Sequence, residues 1–530
     1  LQQFFGGVRV SGQYKESLER FGLPESDLDF ADMKRGIEKE SLRVNAEGEI
    51  SLSSHPQSLG SALTNPYITT DFSEALLEFI TPAYDKIDDC LDMLDDIHRF
   101  TYQNLENEEL LWVASMPCTI GSEEIPLAQY GNSNKGLLKT LYRRGLSHRY
   151  GSVMQTVAGI HYNFSMPDSF WLIYKDICNS SASIQDFRTE KYLHLIRNFH
   201  RYSWLLLYLF GASPAVCKCF VSGRKHKLQK FDDYSLYMPH ATCLRMGDLG
   251  YSSDAQKSLF VCYNELETYA ECLHRAMHTS YPDYEEIGLK KDDEFLQINT
   301  SLLQLENEFY STIRPKRIAK SGQRPLQALC EDGIEYVEVR ALDLNPFLPL
   351  GIDSEQIRFL DSFLLYCLLS ESPECNEQEY FEVKENISSV IEFGRDPELC
   401  LSRKGEQVKL NEWAAELLSD IKHSAVLLDK VHGHEKYSDS ISIQKAKVDD
   451  PDLTPSAQVL KTMQDDNCSF YEFAVKQSES HKQFFLHRKL NDETERLMTE
   501  TARTSLSEQK QIEAQDEISF EEFLQNWNAS

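Results

Sequence analysis

Three strand-like runs constrain this chain most: GIEKESLRV (36–44), QTVAGIHYNF (155–164) and GIEYVEVRAL (333–342). Side chains alternate across a strand, and each run puts polar groups on one of its sides. In the first, Glu38 and Glu40 share a side with Leu42 and Val44. In the second, Gln155, Val157, Gly159, His161 and Asn163 line up, and in the third Ile334, Tyr336, Glu338, Arg340 and Leu342. Helical sequence separates the runs, over 85–105, 189–210, 257–276 and 354–371. In the first of these, Ile87, Leu91, Leu94 and Ile97 recur at spacings of three and four. Strands drawn from distant parts of the chain, with helices between them, predict an α+β fold.

A fourth polar segment is TTDFSEALLEFITP (69–82), with Asp71, Glu74 and Glu78. Asp71 and Glu78 are two helical turns apart and can share a helix face. Alternatively, ALLEFI is a strand with Leu76, Glu78 and Ile80 on one side. Carboxylates on an apolar face need partners or they protonate. If the four segments form one sheet, its concave face gathers several carboxylates, one imidazole and one guanidinium. Such an oxygen-rich set suits Mg²⁺ or Mn²⁺ better than zinc. Magnesium usually completes its shell with water and substrate phosphates, so the set points toward phosphoryl chemistry. Each element also has a plainer explanation: a solvent-facing edge strand for a glutamate pair, a hydrogen-bonded core residue for His161, a structural salt bridge for Glu338 and Arg340.

The chain lacks a P-loop, a dinucleotide-binding glycine motif, an H-E-x-x-H helix and a nucleophile elbow. Its 84 acidic against 54 basic residues give a net charge of −30, which opposes binding to nucleic acid or anionic membrane. The 13 cysteines contain no C-x-x-C pair and read mostly as reduced, buried thiols of a cytoplasmic protein. The N-terminal LQQFFGGVRVSGQYKESLER has no signal-peptide pattern. The longest apolar run, SWLLLYLFGASPAVC (203–217), is interrupted by Gly211 and Pro214 and reads as a core helix ending in a turn. The polar segment 436–455 reads as a loop, and the tail from about 490 as solvated helix or partly ordered chain.

The block GIEKESLRVNAEGEISLSSHPQSLGSALTNPYITTDFSEALLEFITP resembles the opening of the proteobacterial glutamate–cysteine ligase (γ-glutamylcysteine synthetase) family. The resemblance continues through SMPCTI, LAQYGNSNKGLLKTLYRRGLSHRYG, MQTVAGIHYNFS, YLFGASPAVC, LRMGDLGY, LQINTSLLQLENEFYSTIRPKR and GIEYVEVRALDLNPFLPLGI. It treats 1–530 as a single ligase domain, with residues 1–30 poorly matched and about 490–530 a polar helical tail. The implied fold is a glutamine-synthetase-like curved, largely antiparallel sheet, a half-barrel surrounded by helices. The implied reaction is ATP-dependent joining of the L-glutamate γ-carboxylate to the L-cysteine amine through γ-glutamyl phosphate, the first step of glutathione biosynthesis. ATP is the co-substrate and Mg²⁺ the cofactor, with Mn²⁺ as a substitute. The family further implies metal ligands at Glu38, Glu40, Asp71, Glu78, His161 and Glu338, and a catalytic cation at Arg340. It implies holders of the cysteine carboxylate at Arg245, Tyr251 and Tyr310, a wall around the thiol at Phe72, Tyr142 and Leu146, and further substrate contacts at Gln155 and Asn163. It leaves the adenine contacts unassigned. A cytoplasmic monomer with glutathione as feedback inhibitor, and with neither nucleic acid nor membrane as partner, completes the expectation.

Overall fold

The computed structural model describes residues 12–21, 32–106, 108–117, 125–250, 255–256, 259–320 and 322–529. Its centre is a seven-stranded antiparallel sheet: β1 (Lys34–Val44), β2 (Ile68–Thr70), β3 (Leu76–Ile80), β4 (Leu110–Leu111), β5 (Ile160–Ser165), β6 (Ile313–Lys316) and β7 (Tyr336–Leu342). The strands run in the order β6-β7-β5-β1-β3-β2, with β4 paired to the far end of β1. The sheet is therefore open, with β6 and β2 at its edges.

Register sets which residues face each other. Glu38 lies opposite His161 on β5, and Glu40 opposite Glu78 on β3. Glu338 lies opposite Asn163 on one side and Arg314 on the other. Directly paired residues point to the same face, so the polar sets of β1, β3, β5 and β7 occupy one face of the sheet. Residues 76–80 are thus strand, and the helical alternative for Asp71 and Glu78 is wrong. Asp71 sits in the turn between β2 and β3, where its N–H donates to Leu76 O at 2.9 Å.

The other face is the core. Ile37, Leu77, Phe79, Tyr162, Phe164, Val337 and Val339 are all fully buried there. Helices α1 (Ile87–Asn104), α3 (Ile184–Tyr202) and α4 (Ser354–Leu369) pack near this face, and α2 (Asn134–Tyr150) follows the β3 region in the chain. Each such large apolar side chain taken from water contributes about 1.5–3 kcal/mol. Two polar networks cross this layer. Arg35 donates Nε to Asp361 of α4 at 2.8 Å, and Tyr162 donates to the same carboxylate at 2.6 Å. Lys39 Nζ lies 2.8 Å from His98 Nε2 and 2.9 Å from Ser41 Oγ, and among the described residues no carboxylate pairs with it. Burial drives its ammonium down to about 7, and burial followed by the Lys39 charge takes His481 down to about 4.

Three expectations from sequence need correction. The second run is strand only from Ile160; Gln155 lies in a 3-10 turn, Ser152–Thr156, and so is not on the strand face with His161. Gly151, at φ +83°, ends α2 and turns the chain into that tight helix. The segment expected as a loop is largely helix α6 (Lys436–Asp449), which follows α5 (Leu410–His432). Its buried Tyr437, Ile441, Gln444 and Val448 recur at spacings of three and four, a stripe that the polar composition obscures. The tail is helical, α7 (Asp492–Ala514) and α8 (Phe520–Ala529). Far from being only solvated, α8 buries Leu524 with Leu138 and Leu141 of α2 and Ile298. The apolar run 203–217 behaves as expected: helix Trp204–Phe210 is buried throughout and stops at Gly211.

Candidate active site

On the polar face, Glu38 accepts from Asn163 Nδ2 at 2.8 Å, and its Oε2 lies 3.1 Å from His161 Nδ1. Glu40 accepts from Gly159 N–H at 2.6 Å, and its other oxygen is 3.8 Å from His161 Nε2. Glu338, 1% exposed, meets Lys316 Nζ at 2.8 Å and Arg340 Nη1 at 3.0 Å. One ligand atom from each of Glu38, Glu78 and His161 falls within 4.8 Å of the others. The structure thus brings Glu38, Glu78 and His161 together, with Glu40 3.8 Å from His161 and Glu338 linked to it through Arg340, which lies 3.4 Å from His161 Nδ1. Asp71 joins through its charge, which helps raise both Glu40 and Glu78.

The electrostatics are those of crowded anions. Burial, then repulsion from Asp71, pushes Glu40 up to about 8 despite nearby Arg245 and Arg340. Burial and the charges of Glu38, Asp71 and Glu40 hold Glu78 well above the usual carboxylate range. For Glu338, burial favours protonation, but the Lys316 and Arg340 charges outweigh it and keep the group well below that range. Glu38 is likewise lowered, the cost of burial being overcome by the His161 hydrogen bond and the Lys316 charge. Burial and the Arg340 charge lower His161, which favours the neutral imidazole, the form that ligates a metal.

These residues fit a hard divalent cation. The donors are carboxylate oxygens with one imidazole, converging from four strands. Burial first, and then the like charges around them, raise two of the carboxylates, Glu40 and Glu78. Asn163 Oδ1 is buried beside them without a hydrogen-bond partner, an acceptor that a bound group would satisfy.

The remaining expected positions are more scattered. Arg245 is 1% exposed, with Nε on Asp343 at 2.8 Å and Nη2 on the carbonyls of Leu342 at 2.8 Å and Arg340 at 3.3 Å. It lies directly beneath Gly159, where a side chain would collide with the guanidinium at 2.7 Å. Tyr310 is half-buried; burial raises its hydroxyl to about 12, offset in part by a hydrogen bond with Gln155. Phe72 is buried in the β2–β3 turn, and Tyr142 and Leu146 lie on α2. Tyr251 lies outside the described residues. A cavity of about 450 Å³ opens beside Arg340 and Tyr310, with Thr312, His200, Gln256 and Tyr263 also in its wall.

Sequence reasoning missed three residues. Arg143 of α2 donates Nε to the Asp71 carbonyl and stacks over Tyr130, fixing the turn that carries Asp71. Asp343 holds Arg245 from below. Lys316 projects onto the polar face from β6, a strand hidden by Pro315, which argues against strand in a sequence reading. Its position opposite Tyr336 is set by the register of the folded sheet, which the sequence alone does not display.

The sequence profile of the glutamate–cysteine ligase family matches residues 20–390. The chain belongs to the glutamate–cysteine ligase family. Among its relatives, the glutamate–cysteine ligase of Alcanivorax borkumensis is 48% identical over 503 residues, covering 94% of this chain and 96% of that protein. That of Pseudomonas fluorescens strain Pf0-1 is 51% identical, covering 93% of each. The crystal structure of the Francisella tularensis glutamate–cysteine ligase in complex with AMP superimposes with a TM-score of 0.88 at 37% identity, covering 94% of this chain and 98% of that one. The bifunctional glutathione synthetase of Pasteurella multocida gives a TM-score of 0.69 at 25% identity, over 89% of this chain and 54% of that one. The ligase-family fold and the open sheet agree with the half-barrel that the sequence resemblance implied.

Proposed function

We propose that Glu38, Glu40, Asp71, Glu78, His161 and Glu338 hold the Mg²⁺ ions of this ligase, with Arg340 as the cation at the transferring phosphoryl group. Family membership makes the chain an ATP-dependent enzyme that joins glutamate to cysteine as γ-glutamylcysteine. The observation that carries the site assignment is the convergence of Glu38, Glu78 and His161 within 4.8 Å on the face that also presents Arg340.

A carboxylate does not acylate an amine directly, because oxide is too poor a leaving group. The glutamate γ-carboxylate attacks the γ-phosphorus of ATP, ADP departs, and γ-glutamyl phosphate forms. The cysteine amine then attacks the acyl carbon, phosphate leaves, and the amine nitrogen loses a proton. No protein nucleophile is required, and the chain's contribution is positioning and charge stabilisation. Magnesium bound at the cluster supplies charge neutralisation and orientation for the phosphates. Arg340, anchored on Glu338, presents its guanidinium where negative charge accumulates on the phosphoryl oxygens. Neutral His161 keeps a nitrogen available as a ligand. A cluster carboxylate or a phosphate oxygen takes the amine proton.

Tyr310 and Gln155 are the acceptor contacts supported by their mutual hydrogen bond and their place near the cavity. Arg245 is better read as a positioning residue than as a direct partner of the cysteine carboxylate. Its Nε and Nη2 are committed to Asp343 and to main-chain carbonyls, and it supports both Gly159, which donates to Glu40, and the backbone of Arg340. Glutathione, which contains the γ-glutamylcysteinyl unit, would compete at the same surface. Eleven free cysteines among the described residues fit a reducing cytoplasm, although Cys217 is disulfide-bonded.

A coupled ADP-release assay tests the reading. ADP formation should require glutamate, cysteine and Mg²⁺ or Mn²⁺ together. Turnover that persists in excess chelator would remove the metal assignment, and turnover indifferent to the amine would remove cysteine as the acceptor.

A further inference from the structure

Glu338 is bracketed by two cations, one on each oxygen, and they come from different strands. Arg340 stands two residues along β7, whereas Lys316 reaches across from the edge strand β6, where it pairs with Tyr336. Glu338 is 1% exposed and the Lys316 side chain 25%, so the lysine sits where the buried cluster meets solvent. An ammonium carries three donors, and Glu338 Oε1 occupies one of them.

On the polar face between the cluster and this lysine lie Gly36, Asn163 and the buried Arg314, which is paired with Glu338. Gly36, paired with Asn163, contributes no side chain; a Cβ there would meet only ordinary contacts, at 3.6 Å and beyond. Beside it lies Asn163, whose buried Oδ1 has no partner. The other end of the polar face is closed by Gly159 and the buried Arg245–Asp343 pair. Besides the cavity beside Arg340 and Tyr310, an elongated anion extending from Glu38 and His161 can run toward solvent past Lys316, which is partly exposed at the sheet edge.

We propose that Lys316 is a further substrate-contacting residue, its ammonium binding nonbridging oxygens of the nucleotide's phosphate chain across Glu338 from Arg340. The proposal rests on reading the cluster as a metal–nucleotide site. A lysine suits this place because it acts on phosphate as a movable point charge. Arg340, two residues from Glu338 on the same strand, is the more fixed of the pair. Glu338 thereby holds one cation on each of its oxygens.

Calorimetric titration of the full chain with ADP and with AMP, at saturating Mg²⁺, tests this. Lys316→Met should weaken ADP binding at least tenfold while changing AMP binding less than twofold. Lys316→Arg should recover most of the ADP affinity. Mn²⁺ binding followed by electron paramagnetic resonance, without nucleotide, should be retained in Lys316→Met, showing that the carboxylate cluster is intact. Unchanged ADP affinity would overturn the proposal and leave Lys316 as a counter-ion of Glu338 alone. Equal weakening of ADP and AMP, or loss of Mn²⁺ binding together with ADP binding, would also overturn it. Binding of neither nucleotide by the unsubstituted chain would remove the metal–nucleotide reading itself, and this proposal with it.

Discussion

Glu38 takes hydrogen bonds from two neighbours, His161 and Asn163, and lies opposite His161 in the sheet. Replacing one carboxylate oxygen by an amide nitrogen keeps the shape but removes the charge. Glu38→Gln should therefore fold normally, with an unchanged melting temperature, and lose about a hundredfold or more in kcat, the scale seen when a preorganised electrostatic group is removed. Steady-state ADP release checks the rate. Asp343 is a different case. It accepts from Ala212 N–H at 2.9 Å, Ser213 Oγ at 2.6 Å and Arg245 Nε at 2.8 Å, and is itself 1% exposed. Asp343→Ala strands a buried guanidinium, and losing one partner of a buried pair costs about 3–5 kcal/mol. The urea midpoint should fall accordingly, whereas Glu38→Gln leaves it in place.

At the scale of the element, β1 has a different chemistry on each face: Glu38 and Glu40 toward the site, Lys39 toward the core. Lys39 has its ammonium lowered from 10.5 to about 7 by burial. Between those values the unfolded chain binds a proton that the folded chain does not, so stability rises with pH across the window, by at most about 1.4 kcal/mol per pH unit. Lys39→Met should flatten that slope and raise stability at neutral pH, as read from denaturant unfolding at pH 7, 8 and 9. Two of the strands that carry the site were legible because alternation survives in 36–44 and 336–342, where polar residues recur every second position; 76–80 has one polar residue, Glu78, and stayed open between helix and strand. Gln155 was misplaced because alternation was carried back across Gly151–Gly159, where the chain turns. Lys316 stayed hidden because Pro315 interrupts its strand, and α6 because its buried stripe includes Gln444 and is flanked by serines and lysines. The ligand set came from parity together with family resemblance; parity alone left solvent-facing strands as a competing explanation.

At the scale of the whole molecule, the proposed metal site would set protons and metal in competition for the same carboxylates. Glu40 keeps its proton in the folded chain up to about pH 8, against 4.5 for the ordinary group. Its contribution to stability is complete below pH 4.5 and is lost as pH rises through 8. In chelator, thermal stability should therefore decline over that range from this source, while saturating Mg²⁺, which holds the carboxylate ionised, should abolish the decline. Metal affinity should climb with pH toward 8, with proton release on binding. Calorimetry in buffers of different ionisation enthalpy measures that release.

The antiparallel sheet brings Glu38 of β1 against a cluster that also contains Glu338 of β7, so its two walls are set by residues from distant parts of the chain. Closing so long a loop is a slow, non-local event in folding. The proposed cation site, which draws on β1, β3, β5 and β7, could not be complete in a partly folded chain that holds only β1 and its neighbour β3. Tight Mn²⁺ binding during refolding should accordingly appear with the last kinetic phase, making the site a built-in reporter of complete assembly.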